Sequence, residues 1–293
     1  MKPNKKWIIL LFKVAVTSAA LAYVFSQISL SSLGETLAKA SPIPLALATL
    51  FFILSKCISS VRLRMFLQSA GLQVSETTNL KLYWLGMFYN LFLPGGIGGD
   101  AYKIYLLQRS SGLPALTLGW AVLLDRVNGL LAILMLNLLM VPLLPFAPFW
   151  QWVAALSLIP GYLIYYMGVK KLFAAFSSIT HQTTLWSFLV QLLQCISLFF
   201  IVQALHLQTE LLPLLFVFMA SSVVAVLPFT IGGIGSREVV FLLGSQLLAI
   251  DPDIAVTISL LFFVITAGVS LGGIYYQFLP RELRLPQKPL ERE

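Results

Sequence analysis

Six stretches of the chain stay apolar for about the twenty residues that a helix needs to cross a bilayer: Trp7–Phe25, Ile43–Val61, Ala115–Val141, Trp150–Val169, Leu185–Leu205 and Ile254–Phe278. Their apolar residues are contiguous rather than alternating, so they read as helices and not as the strands of a transmembrane barrel. Two further apolar stretches, Leu82–Pro94 and Leu211–Pro228, run into glycine-rich turns. The first turn is Pro94-Gly95-Gly96-Ile97-Gly98-Gly99-Asp100 and the second is Ile231-Gly232-Gly233-Ile234-Gly235-Ser236. Each turn leads into a short helix-like stretch.

Composition supports the same class. Hydrophobic residues are 59% of the 293 and charged residues 10%, against about 25% charged in a soluble domain. The pattern therefore predicts an all-α integral membrane protein. The lysine-bearing start followed by Trp7–Phe25 reads as a retained first helix, its run being longer than the apolar region of a cleaved signal peptide. Trp7, Trp150, Trp152 and Trp186 fall at predicted span ends, where interfacial anchors belong. Cys57 and Cys195 lie in apolar runs and read as buried thiols, with no disulfide framework and no metal spacing. The net charge of +8 is spread over short patches, which suits anionic lipid headgroups and excludes nucleic acid as the partner.

The two glycine turns are related. Leu93-Pro94-x-x-Ile97-Gly98-Gly99 aligns with Leu227-Pro228-x-x-Ile231-Gly232-Gly233 at an offset of 134, and the same offset lays Lys103 on Arg237. A proline follows each short helix, at Pro114 and Pro252. If each glycine-tipped element is a re-entrant hairpin, each half has three true crossings, and the second half must be inserted upside down, as in the inverted repeats of many transporters. This gives a single membrane domain over 1–280, with repeat one at about 7–141, repeat two at about 150–278, and a cytoplasmic tail at 281–293. With both termini inside, thirteen Lys and Arg fall on the cytoplasmic side, among them Arg62, Arg64, Lys81 and Arg109, while the outer side receives only Lys39 with Glu35, Glu210, Asp251 and Asp253. That is the positive-inside bias. Full crossings by both hairpins would move Arg109, Lys170 and Lys171 outside. Ser29–Ala40 reads as a small interfacial helix.

Charged residues at membrane depth cost roughly 2.5–3.5 kcal/mol on insertion scales and are functional candidates for that reason. Here they are Lys13, Lys56, Asp100, Lys103, Asp125, Arg126, Arg237 and Glu238. Asp100 and Lys103 open the helix after the first turn, where free backbone N–H groups and the helix dipole favour an anion. Gly96, Gly98 and Gly99 let backbone approach a ligand, and Gly232, Gly233, Gly235, Ser236 and Arg237 repeat the arrangement. Two such tips facing each other would form a cationic, glycine-lined phosphate site; the alternative is that the glycines only permit tight hairpins and the charges pair locally. Neither turn has the Gly-Lys-Ser/Thr ending or preceding strand of a nucleotide loop. Asp125 and Arg126, adjacent on a helix, must find different partners: Lys103 or Arg237 for Asp125, and Glu238 or a ligand phosphate for Arg126. A structural ion-pair lock is compatible with these roles. Lys13 and Lys56 are expected to snorkel or pair within the bundle, and Asn90 to cap freed backbone near the first tip. His206 is expected at the interface and His181 in a polar loop, neither in a metal cluster.

Asn90-x-x-x-Pro94-Gly95-Gly96-Ile97-Gly98-Gly99-Asp100-x-x-Lys103, Asp125-Arg126-x-x-Gly129 and Gly232-Gly233-Ile234-Gly235-Ser236-Arg237-Glu238, in this order, resemble the flippase-like membrane domain of the lysylphosphatidylglycerol synthase family. The resemblance covers about Trp7 to Phe278. Many relatives carry Arg where Lys103 stands, and Pro-Gly-Gly where Phe229-Thr230-Ile231 stands. The resemblance implies a domain that moves a lipid or lipid-linked sugar between leaflets of the cell membrane. Its headgroup ligands would be Lys103, Arg126, Arg237 and the tip glycines, with Asp100, Asp125 and Glu238 holding the cations or titrating. The aminoacyl-transferase domain that follows in full-length synthases is expected to be absent after Phe278, so no enzyme activity and no cofactor is expected. The alternative is a membrane partner that presents a lipid to a separate synthase or glycosyltransferase; an intramembrane transferase is disfavoured by the sparse nucleophiles.

Overall fold

The computed structural model describes residues 38–92, 98–226 and 235–278, with positions 18, 22, 23, 26, 34–36 and 283 besides. The expectations for Lys13, Gly96, Gly232 and Gly233, for almost all of Trp7–Phe25, for half of Ser29–Ala40, and for the tail apart from Leu283 lie outside the described residues. Among the described residues there are α-helices and short 3-10 turns and no strand. The α-helices are α1 (Pro42–Ser69), α2 (Glu76–Phe92), α3 (Gly98–Ser111), α4 (Ala115–Met140), α5 (Pro148–Leu172), α6 (Thr180–Ala204), α7 (Leu211–Val226), α8 (Ser236–Leu247), α9 (Pro252–Leu271) and α10 (Ile274–Phe278).

Five described segments are long and apolar enough to cross a membrane: Pro42–Ser69, Ala115–Leu143, Pro148–Leu172, Ala174–Ala204 and Pro252–Phe278. The protein is a multi-pass all-α membrane protein. Helix starts follow local chemistry. Proline stands in the first turn of α1, α5 and α9, where its missing N–H costs nothing. Asp251 caps α9 by accepting from the N–H groups of Asp253 (2.8 Å) and Ile254 (3.3 Å).

Two expected spans are longer than hydropathy suggests. α1 continues past Val61 to Ser69, and α6 begins at Thr180 rather than Leu185, so His181 is helical and not in a loop. The added residues are polar but buried: Arg62, Thr180, Thr183 and Thr184 are each at most 5% exposed. They face a neighbouring helix, not lipid, so apolarity does not mark them. His181 stacks on Tyr166 at 4.7 Å and meets the Tyr162 hydroxyl at 2.5 Å.

The helix order repeats. Shifting α2 by 134 positions lays it on 210–226, against Leu211–Val226 for α7. The same shift lays α1 on α6, α3 on α8 and α4 on α9, with ends differing by a few residues. The equivalent helices α1 and α6 pack side by side and antiparallel. Ser41 N–H donates to the Ala204 carbonyl at 2.8 Å, Ser197 Oγ to the Ala48 carbonyl at 2.8 Å, Phe51 stacks on Phe200 at 5.4 Å, and Arg62 Nη1 donates to Ser187 Oγ at 2.7 Å. Equivalent helices that run antiparallel are related by a two-fold axis perpendicular to them. Lys56 and Val190 are equivalents under the shift and fall at the midpoint of this register, so the axis passes beside them. Small residues along the contact, Ala48, Ser55, Ser59, Ser187, Ser197 and Ala204, are all buried and let the backbones approach.

The two hairpins, α2–α3 and α7–α8, pack across this frame: α2 lies against α1 and α9, and α7 against α6 and α4. Their arms have 17, 14, 16 and 12 residues, about 18–25 Å at 1.5 Å per residue, short of a hydrocarbon core of about 30 Å. Trp84 Nε1 donates to the Val269 carbonyl at 3.1 Å and fixes the first hairpin to α9. Within that hairpin the backbones touch: a Cβ on Gly99 would lie 1.9 Å from the Gly86 carbonyl oxygen. Two apolar clusters flank the hairpins. One, around Phe52, Phe218, Phe241 and Phe262, supports the second hairpin; the other, around Leu63, Phe66, Leu82 and Leu107, supports the first.

Because the Gly99–Gly86 contact leaves no room for a side chain, Gly99→Val is expected to cost at least the roughly 1–3 kcal/mol of an overpacked core. The thermal midpoint of the purified protein should fall by several degrees. Gly161→Ala, where a Cβ meets nothing within 4 Å, should leave it unchanged.

Candidate functional site

Side chains from both hairpins and from the centre of the α1–α6 pair line a cavity of about 310 Å³. Asn90 and Lys103 reach it from the first hairpin, Ala225 and Arg237 from the second, Lys56 from α1 and Gln191 from α6. It lies on the two-fold axis. Arg62, Asp100, Asp125 and Arg126 complete its charged lining.

The charges fall into three groups. First, Arg62 Nε donates to Asp125 Oδ1 at 2.7 Å, with both side chains under a tenth exposed. Arg62 also donates to Ser187, Ser187 donates to Asn128 Oδ1, and Asn128 Nδ2 donates to Tyr165 Oη (2.9 Å) and Thr184 Oγ1 (3.0 Å). Gly129 leaves space for this guanidinium, since a Cβ there would lie 3.1 Å from Arg62 Nη1. The network ties α1, α4, α5 and α6 together, and its additional hydrogen bonds are what keep a buried pair from being a net cost.

Second, Asp100 bridges two cations: Oδ1 lies 2.7 Å from Lys103 Nζ and Oδ2 pairs with Arg126 Nε. Lys103 is one turn from Asp100 on α3, whereas Arg126 comes from α4, so this carboxylate bolts the first hairpin to α4. Third, Lys56 and Arg237 make no ion pair among the described residues. They stand over aromatic faces, Lys56 4.7 Å from the Phe52 centroid and Arg237 5.0 Å from that of Phe262. Such contacts contribute only about 0.5–2 kcal/mol each.

Several sequence-level expectations are corrected by this geometry. Asp125 pairs with neither Lys103 nor Arg237, because Arg62 is nearer and Asp100 already holds Lys103. Arg126 pairs with Asp100 and not with Glu238. Glu238 is 1% exposed and caps its own helix start: Oε2 accepts from Gly235 N–H at 2.7 Å and Oε1 from Ser259 Oγ at 2.9 Å. Gly235 takes φ +82°, a left-handed conformation that glycine adopts without strain. The described tip residues Gly98, Gly99, Gly235 and Ser236 do not line the cavity. The Gly99 N–H is taken by Asn90 Oδ1 at 2.8 Å and the Gly235 N–H by Glu238, so among the described residues the positive charge at the cavity comes from side chains.

The charge pattern puts Arg62 on the cytoplasmic side, whereas it is 5% exposed inside the bundle. Lys56, which the pattern lets snorkel or pair in the bundle, faces the cavity without a carboxylate partner among the described residues. A signal was present: Ser55, Ser59 and Arg62 recur at helical spacing as a polar stripe along an apolar run. His206 lies at the opposite end of the α1–α6 pair, where its Nε2 is 2.8 Å from Ser41 Oγ. Among the described residues no three His, Cys, Asp or Glu side chains gather as a metal site.

The family described as lysylphosphatidylglycerol synthase TM region matches the chain over residues 10–178 and 168–273. No curated protein sequence matches it.

Removing one partner of the buried Arg62–Asp125 pair strands the other charge. Asp125→Ala is therefore expected to cost about 3–5 kcal/mol, while Arg62→Met combined with Asp125→Leu should recover most of that. A thermal double-mutant cycle in detergent checks it, with additive losses as the outcome that counts against coupling.

Proposed function

Because the chain belongs to the family of the lysylphosphatidylglycerol synthase TM region, a membrane family with a lipid-related role, we propose that it carries an anionic phospholipid or lipid-linked intermediate from one leaflet to the other. The observation that carries this reading is the shared cavity, lined by side chains of both hairpins and of the α1–α6 pair and holding more cations than carboxylates. The headgroup binds there while its acyl chains stay in the bilayer. Lys56, Lys103, Arg126 and Arg237 replace its hydration, and Asp100 holds two of them in place. The antiparallel repeats supply two related packings of the same parts, in which either hairpin closes the cavity on its own side. The Asp100 bridge, which has no counterpart on the second hairpin among the described residues, marks the first hairpin as the closed one. We place the protein in the cell membrane with both termini cytoplasmic, since Arg64, Lys81, Arg109, Lys170 and Lys171 all stand at one end of the bundle and Glu210, Asp251 and Asp253 at the other.

Leaflet exchange in proteoliposomes, with head-labelled phospholipids of several charges and an impermeant quencher, tests this. Wild-type protein should accelerate loss of protected signal for anionic lipids, and Arg237→Ala should reduce the rate at least tenfold with the protein still folded. Absence of acceleration for every lipid from folded wild type would point instead to a partner that presents a lipid to a separate enzyme. Unchanged exchange in Arg237→Ala would remove Arg237 from the site.

A further inference from the structure

Resting on the reading that this cavity receives a lipid headgroup, we infer that the headgroup ends in a phosphomonoester, carrying two negative charges, and not in a singly charged phosphodiester. Charge inside a helical bundle must be balanced where water is scarce. Lys56, Arg62, Lys103, Arg126 and Arg237 bring five positive charges to the cavity. Asp100 and Asp125 on its wall and Glu238, next to Arg237 in the chain, bring three negative ones. Among the described residues two positive charges are left over.

The surplus is also localised. Arg62 is satisfied by Asp125 and Ser187, and Lys103 shares Asp100 with Arg126. Lys56 and Arg237 stand over ring faces and make no ion pair among the described residues. Gln191 lies on the cavity wall and is 4% exposed. The nitrogen of its amide carries two N–H donors for an anion. Unpaired cations inside a bundle are strongly unfavourable unless something neutralises them. A phosphodiester neutralises one and leaves the other. A terminal phosphate has two charges and three outer oxygens, enough to meet Lys56 and Arg237 together and still accept from Gln191. A zwitterionic headgroup adds a cation to a site that already has a surplus of them.

The test uses the purified full chain and the thermal shift produced by dioctanoyl phosphatidic acid, dioctanoyl phosphatidylglycerol, dioctanoyl phosphatidylcholine and inorganic phosphate. At pH 7.5 phosphatidic acid should bind at least tenfold more tightly than phosphatidylglycerol. The ratio should fall towards one near pH 5, below the second ionisation of a phosphomonoester at about 6. Lys56→Gln and Arg237→Gln should each remove most of the preference, and the wild-type pH series decides the matter if either variant fails to fold. Equal affinity for the two anionic lipids at pH 7.5, or a preference that does not change with pH, overturns the phosphomonoester and leaves the lipid site standing. Inorganic phosphate competing as well as phosphatidic acid would keep the dianion chemistry and overturn the lipid as its source. Binding by none of the anions would overturn the site itself.

Discussion

The constraint on which the structure turns is that charge inside a helical bundle has no water to lean on. Each buried ion must find a partner of opposite sign or of suitable polarity, and the partners must be supplied by different helices. Asp125 and Asp100 meet this demand in complementary ways. Asp125 pairs with Arg62 inside a hydrogen-bonded network, which fixes α1, α4, α5 and α6 relative to one another. Asp100 divides itself between Lys103 and Arg126, which fixes a hairpin to a spanning helix. The adjacency of Asp125 and Arg126 makes this possible: neighbours in a helix point apart by about 100° and so serve two different sides of α4.

The antiparallel α1–α6 pair depends on the same economy of contact. Its interface is made of Ala and Ser, so the two backbones lie close and their register is set by hydrogen bonds at both ends. That register puts the two-fold axis beside Lys56. The cavity beside it takes Lys103 from one hairpin and Arg237 from the other. The asymmetry of the site follows from sequence divergence between the halves. Where α4 carries Asp125, the equivalent position of α9 is Ser259, which donates to Glu238. One hairpin is held by ion pairs to a neighbour, the other by a cap within itself and aromatic packing.

The sequence by itself determined the membrane class and most of each described spanning helix, although α1 runs eight residues beyond its apolar stretch and α6 starts five before its own. It did so because apolar length, glycine turns and cation placement are local properties written along the chain. It also identified Asp100, Lys103, Asp125, Arg126 and Arg237 as charges that needed an explanation, since a charge in an apolar run is conspicuous. Only the tertiary structure decided which charges pair. Arg62 sat at the end of a hydropathic run and resembled a loop residue until α6 was seen to cover it. Glu238 resembled a partner for a cation until the backbone of Gly235 claimed it. Pairing depends on which helix faces meet, and that is set by packing between separate helices, which no periodicity along the chain encodes.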